Sequence, residues 1–390
     1  MNIAMIQEDL SLRSGSRRFM CEVPKHLQEL GHRVKIFSTM LDKKTCFPGF
    51  LPLPVEIVPI DEFRFQPIRI INHTLRRDLD YLWSKTMAIL EISRRVADWG
   101  ADAAVFNYCG EHWLYPYFYC LKDCVGAVCL HVTPPVSGSL SLPFQNPTWR
   151  RIIVDNVLKF STKSWRDVSL KNLDLIITHS RYVLTQALKQ GVVGLRRSRV
   201  VPLGVDHSTF YPTSEEDPYA LYAGRIHPYK SLELAVLAMK NTPPDKSLIL
   251  AGDLENGNVS YKKRLENIAE RLGISDRFKI IVSPTNGELV RLIQRCSVFL
   301  FPSTIDTFGL VALEAMACGK PIIACRRGGL PEIVGDGGFL LEPSSAQWQD
   351  AVKKILSNSS LRQKLGKRAL KISDMYSWHN TARSLLNAIK

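Results

Sequence analysis

Both halves of this 390-residue chain alternate short apolar runs with longer amphipathic stretches, and that rhythm leaves few folds open. In the first half, residues 1–6, 33–38, 55–60, 102–107, 126–132 and 173–178 read as strands. Helices are predicted over 15–30, 67–98, 110–121, 148–170 and 180–190. The second half repeats the pattern, with strands at 219–225, 247–251, 278–282, 297–302 and 321–325, helices at 229–240, 259–272 and 286–295, and further helices filling 345–388. Strands that are apolar throughout and separated by helices build parallel sheets covered on both faces. A chain of this length exceeds the size at which one core keeps growing, so two α/β domains are expected. A short strand at 199–203 leads into Gly204-Val205-Asp206, which puts the expected boundary between 1–205 and 206–375, with Pro212–Pro218 reading as a polar linker.

Composition narrows the class. Apolar residues make up 45% and charged residues 23%, as in a globular domain, and no run of eighteen apolar residues occurs. Met1–Ile6 is too short and lacks the basic flank of a secretion signal, so it reads as a first core strand. The nine cysteines include no Cys-x-x-Cys pair and several sit in apolar runs, which points to free thiols in a reducing cytoplasm. The formal charge is +14, and residues 151–200 alone carry ten Lys/Arg against three Asp/Glu. Such a surface suits an anionic lipid, a polyanionic acceptor or a nucleoside diphosphate; no nucleic-acid-binding motif accompanies it. On the long helix 67–98, Arg69, Arg76 and Arg94 share a side opposite an apolar stripe. This is either a peripheral contact for an anionic membrane or a helix whose stripe covers the sheet.

The residues that carry chemistry lie just after strands, where open parallel sheets bind ligands. Strand 297–302 is followed by Asp306 and by a helix starting near Phe308 and holding Glu314. Between the two acids, Phe308-Gly309-Leu310-Val311 offers the unpartnered N–H groups of a helix N-terminus, a site for a phosphate. A plainer alternative is that Thr307 caps an ordinary helix and Glu314 packs. Strand 219–225 ends at Arg225, with Lys230 opening the next helix, two cations able to hold a diphosphate. His131 follows a strand and precedes Thr133-Pro134-Pro135, whose rigid loop fixes its direction. Gly15, after the first strand, lets the backbone approach a sugar or phosphate. Asp78-Leu79-Asp80 imitates a metal motif but falls inside a helix, so it is not assigned to a metal.

The run from Asp306 to Gly319, with Phe308-Gly309-Leu310-Val311 and Glu314-Ala315-Met316-Ala317, resembles the carboxylate-x7-carboxylate motif of the family 4 retaining glycosyltransferases, also called glycosyl transferases group 1. Asp306 stands where that family usually has Glu. Further similarities are Gly224-Arg225 with Lys230, Gly31-His32-Arg33-Val34, Gly15 with Arg18, and Gly328-Gly329-Leu330-Pro331-Glu332. The resemblance implies a GT-B fold, two Rossmann-like domains, with the final helix (about 376–390) packing back on the first. It implies a nucleoside diphosphate-hexose donor, UDP- or GDP-linked, an acceptor hydroxyl on a glycan, lipid or small molecule, and front-face transfer with neither a cofactor nor a metal. Arg225 and Lys230 would bind the diphosphate, His131 and Asp306 the sugar, Glu314 the ribose, Gly15 and Phe308–Val311 the donor, and backbone near Val282 the base. Glu332 is taken as a loop anchor. Two other readings stay open. One is a catalytically silent homologue that partners an active transferase. The other is a dinucleotide-dependent oxidoreductase, disfavoured because one glycine, not Gly-x-Gly-x-x-Gly, follows the first strand.

Overall fold

The computed structural model describes residues 1–11, 14–63, 73–108, 124–130, 174–189, 198–254 and 258–390. The described chain forms two compact units, Met1–Pro202 with His379–Lys390, and Leu203–Trp378. His131 and the expected helices 110–121 and 148–170 lie outside the described residues.

The first unit is built on seven strands: β1 (Asn2–Ile6), β2 (Arg33–Ser38), β3 (Val55–Ile57), β4 (Ala103–Tyr108), β5 (Val125–Leu130), β6 (Leu175–Thr178) and β7 (Ser198–Val200). Their order is β3-β2-β1-β4-β5-β6-β7, and every pairing is parallel. Helix α1 (Gly15–Glu29) follows β1, α2 (His73–Asp98) precedes β4, and α3 (Arg181–Lys189) follows β6. In the C-terminal half of α2, Ile89, Ile92 and Val96 bury completely with Ile6, Phe37 and Phe106. Each such side chain contributes roughly 1.5–3 kcal/mol of transfer free energy. Arg94, expected on a cationic face, is paired to Glu91 and Asp98, and Arg95 to Glu91 and Glu56. Those two guanidiniums hold the Glu91 carboxyl down at about 2. The backbone of Asp78 and Asp80 is helical, as expected.

The second unit has six parallel strands, β8 (Tyr219–Ala223), β9 (Ser247–Gly252), β10 (Phe278–Val282), β11 (Val298–Phe301), β12 (Ile322–Cys325) and β13 (Gly338–Leu341), ordered β10-β9-β8-β11-β12-β13. Its helices are α4 (Leu232–Ala238), α5 (Val259–Arg271), α6 (Asn286–Arg295), α7 (Leu310–Ala317), α8 (Leu330–Val334), α9 (Ser345–Leu356) and α10 (Ser359–Ser373). Helix α11 (Trp378–Ile389) closes the chain. Trp348 of α9 is fully buried in this core, beside Tyr222, Leu250 and Leu300. The expected continuous helix after Arg225 is instead a one-turn 3-10 helix, Pro228–Lys230, and then α4, with Ser231 between them at a φ of 53° that breaks the two apart. The segment read as a linker is strapped down. Arg295 pairs with Glu215 and Asp217, and Arg362 with Glu216. Among the described residues no helix is long and apolar enough to cross a membrane.

Candidate functional site

In the second unit the strand order runs outward in opposite directions from β8 and β11, so these neighbours form the topological switch point. Loops leaving their carboxyl ends diverge to opposite faces and leave a crevice. From β8 come Gly224, Arg225, Tyr229 and Lys230; from β11 come Asp306 and the start of α7.

Lys230 Nζ lies 2.9 Å from Asp306 Oδ2, with both side chains about five-sixths buried (15% and 16% exposed). The other carboxylate oxygen, Oδ1, accepts the Phe308 N–H at 3.2 Å. Tyr229 presents its ring to both cations, 5.4 Å from the Arg225 guanidinium and 5.2 Å from the Lys230 ammonium, and Lys230 also lies 5.7 Å from the Phe301 ring. The Tyr229 hydroxyl is buried and makes no hydrogen bond among the described residues. Beneath it, Tyr222 Oη donates to the Arg225 carbonyl at 2.9 Å, which fixes the turn after β8. Burial, with the Tyr229 and Asp306 groups nearby, pushes the Tyr222 hydroxyl well above its ordinary value and keeps it a donor.

The start of α7 differs from expectation in an informative way. Its N-cap is Gly309 at φ 94°, with no side-chain cap, so Thr307 is not the capping residue. A Cβ at 309 would sit 2.6 Å from Leu330 Cδ2, so both conformation and space demand glycine. The Phe308 N–H is taken by Asp306; Leu310 and Val311, in the uncapped first turn, keep N–H groups without intrahelical partners. With the helix starting at Leu310, Glu314 lies just over one turn in, 9% exposed.

The Gly328-Gly329 pair explains how the Asp306 loop is held. The Gly329 N–H donates to the Asp306 carbonyl at 3.0 Å, and a methyl on Gly328 or Gly329 would overlap the carbonyls of Asp306 and Thr307. Glu332 is exposed on α8, and the backbone of these glycines closes on the loop. Val282 ends β10 at the same carboxyl edge, 43% exposed, but two strands along from β8, about 10 Å away at the usual spacing. Gly15 opens α1 in the other unit after β1, beside that sheet's own switch point between β1 and β4. There Asn107 of β4 donates to the Ser16 carbonyl at 3.0 Å.

Three buried thiols of this unit, Cys296, Cys318 and Cys325, are poor nucleophiles. Burial pushes Cys296 and Cys325 up to about 12, and Cys318 higher still. The sequence reading missed Tyr229, although an aromatic residue between the two cations was visible in Arg225-Ile226-His227-Pro228-Tyr229-Lys230. It also missed the clamp made by Gly328 and Gly329 on the Asp306 loop.

Residues 207–372 match the family described as "Glycosyl transferases group 1". Over the whole chain the molecule resembles the sucrose-phosphate synthase of Thermosynechococcus elongatus, with a TM-score of 0.74 at 20% identity, covering 99% of this chain and 97% of that one. It resembles Anabaena HepE, solved in complex with UDP and glucose, with a TM-score of 0.75 at 18% identity, covering 99% and 98%. The fold is GT-B. In sequence, a D-inositol 3-phosphate glycosyltransferase of Stackebrandtia nassauensis is 32% identical over 210 residues, 48% of this chain and 47% of that protein. One from Corynebacterium urealyticum is 36% identical over 174 residues, 42% and 41% respectively. The chain thus spans about half the length of the curated relatives it matches.

Proposed function

We propose that this GT-B chain is a retaining glycosyltransferase that moves a hexosyl group from a nucleoside diphosphate donor to an acceptor hydroxyl. The observation that carries the reading is the meeting of Lys230 and Asp306 at the switch point, with Arg225 on the same loop as Lys230. Arg225 and Lys230 take the diphosphate. As the anomeric carbon–oxygen bond breaks, charge grows on the β-phosphate, and two fixed cations stabilise it more than the ground state. No divalent ion is assigned at the diphosphate. The acceptor oxygen attacks on the face the phosphate leaves, and its proton passes to the departing phosphate oxygen.

Lys230 cannot serve the phosphate and Asp306 equally, so donor binding exchanges the ion pair for a phosphate contact. The released carboxylate then accepts hydrogen bonds from sugar hydroxyls. Glu314 holds the ribose, the first turn of α7 offers N–H groups, Val282 lies by the base, and His131 and Gly15 complete the donor contacts. UDP-glucose is the first donor to test, since Anabaena HepE was solved with it and with UDP. A phosphorylated polyol is the first acceptor, given the relatives' names and the charge of +14. Peripheral contact with an anionic membrane and a cytoplasmic setting belong to the same proposal.

The test is sugar transfer and nucleoside diphosphate release across UDP-, GDP- and ADP-linked hexoses. Arg225→Ala and Lys230→Ala should each lower turnover by about two to three orders of magnitude, as loss of a preorganised charge donor does. Wild-type turnover in both would sink the assignment. Diphosphate binding without turnover of any donor would favour the silent-homologue reading.

A further inference from the structure

Away from the switch point, unit 1 carries a second cluster of polar side chains. His26 and Glu29 stand one turn apart on α1, and His379 comes from α11, more than 340 residues later in the chain. The His26 and His379 rings meet edge to face with centroids 6.0 Å apart, and His26 Nδ1 lies 2.7 Å from Glu29 Oε2. One ligating atom from each of the three residues falls within 4.8 Å of the others. We propose that His26, Glu29 and His379 bind a zinc ion that fastens α11 to α1.

Two imidazoles and one carboxylate are a common zinc donor set, with water as the fourth ligand. Around a tetrahedral ion with bonds near 2.0–2.1 Å the donors stand about 3.3 Å apart, so modest side-chain rotations close this cluster onto an ion. The side chains of His26 and Glu29 are 26% and 61% exposed, which leaves an entry path for the metal. The nearby lysine does not occupy the place of a cation, because Lys25 pairs with Glu22. Cys21, on the same helix, is no rival ligand: it is 1% exposed, and its thiol is pushed up to about 11 by burial.

The consequence is structural. Helix α11 already belongs to unit 1: its Leu385 and Ile389 are buried, and Thr381 Oγ1 donates to the Pro202 carbonyl at 2.8 Å. An ion held by both helices adds a cross-link between distant parts of the chain.

The experiment uses tag-free full-length protein, stripped of metal and titrated with zinc chloride by calorimetry, with cobalt(II) as a spectroscopic probe. The expected result is one equivalent per chain and intense visible cobalt bands of a four-coordinate site. A rise of about 5 °C in Tm at a hundredfold excess of zinc over Kd is also expected. His26→Gln, Glu29→Gln and His379→Gln should each weaken binding at least tenfold, and His26→Gln/His379→Gln should abolish the Tm rise while its metal-free Tm stays within a degree or two of wild type. Absence of saturable one-to-one binding, or an undiminished zinc response in the double variant, overturns the proposal and leaves His26–Glu29 as an ordinary surface pair. Should the double variant's metal-free Tm fall, Glu29→Gln decides alone, because its exposed side chain can be neutralised without disturbing α11.

Discussion

Asp306 holds both groups that an incoming anion would use, Lys230 Nζ through Oδ2 and the Phe308 N–H through Oδ1. Asp306→Asn tests what that means. The amide oxygen can still accept the Phe308 N–H, so the loop should persist, but the charge opposite Lys230 is gone. A hydrogen bond to a charged group is worth about 1.5–3 kcal/mol when well buried. With both side chains about 15% exposed and solvent at hand, the pair is discounted to about 1 kcal/mol. Two consequences follow with opposite signs. Stability should fall by about that amount, a Tm loss of about 2–4 °C for a unit of this size. Nucleoside diphosphate binding should hold or tighten by up to about fivefold, because phosphate no longer competes with a carboxylate for Lys230. Transfer should nonetheless drop by about ten- to a hundredfold, since the sugar loses its charged acceptor. Asp306→Glu, the residue usual in the resembling family, should be the mildest change. Calorimetry with UDP and GDP beside transfer assays on the same proteins decides it. Weakened diphosphate binding by Asp306→Asn would falsify the competition argument, and wild-type transfer would reduce Asp306 to a loop residue.

Glu314→Gln should chiefly weaken nucleotide binding, by roughly 1.5–3 kcal/mol, and a variant that binds normally but transfers poorly would remove Glu314 from the ribose. Gly309→Ala forces a Cβ into φ 94° and against Leu330, costing at least about 1–2 kcal/mol in the denaturant midpoint, and an unchanged midpoint would mean that α7 can start without that turn. His179, 2% exposed, gives Nδ1 to the Val201 carbonyl at 2.8 Å, and burial lowers its pKa to about 4. Its folded value lies below the unfolded one of about 6.5, so its contribution is intact above pH 6.5 and is lost as pH falls toward 4, by about 2 kcal/mol at pH 5. Denaturant titrations at pH 7 and 5 should show this slope, and His179→Asn should flatten it; an equal slope in the variant refutes the assignment.

The periodicity of the sequence carried the fold because parallel strands buried on both faces leave an uninterrupted apolar record: β8, β11 and β12 are buried at every position. What escaped notice was short or half-exposed. Helix α8 has five residues, too few for a 3.6-residue period to register, and β13 is a four-residue edge strand with no fully buried residue. Both lie among Gly328, Gly329, Gly335, Gly337 and Gly338, which read as loop. Four of these glycines, Gly328, Gly329, Gly337 and Gly338, are where other backbone passes too close for a side chain, a long-range reason that no local pattern records.

The same distinction applies inside the site. Spacing alone placed Arg225 and Lys230 after one strand and Asp306 after another, and the order β8-β11 brings them together. Spacing could not say that Lys230 and Asp306 would satisfy each other, because an ion pair across 76 residues depends on which strands are neighbours. Nor could it say that the Phe308 N–H, expected to wait for phosphate, is turned inward to the Asp306 side chain. Both departures have one cause. Unpartnered charges and N–H groups that are partly desolvated are costly, and the Asp306 carboxylate, as an internal anion, partners both. A carboxylate one methylene shorter than Glu sits closer to the backbone that carries it, and here it bonds the N–H two residues on while its other oxygen reaches Lys230. Lengthening it by one methylene should loosen the Phe308 contact before the Lys230 contact, which makes the exchange protection of the Phe308 amide in Asp306→Glu the direct readout of how the Asp306 loop is held.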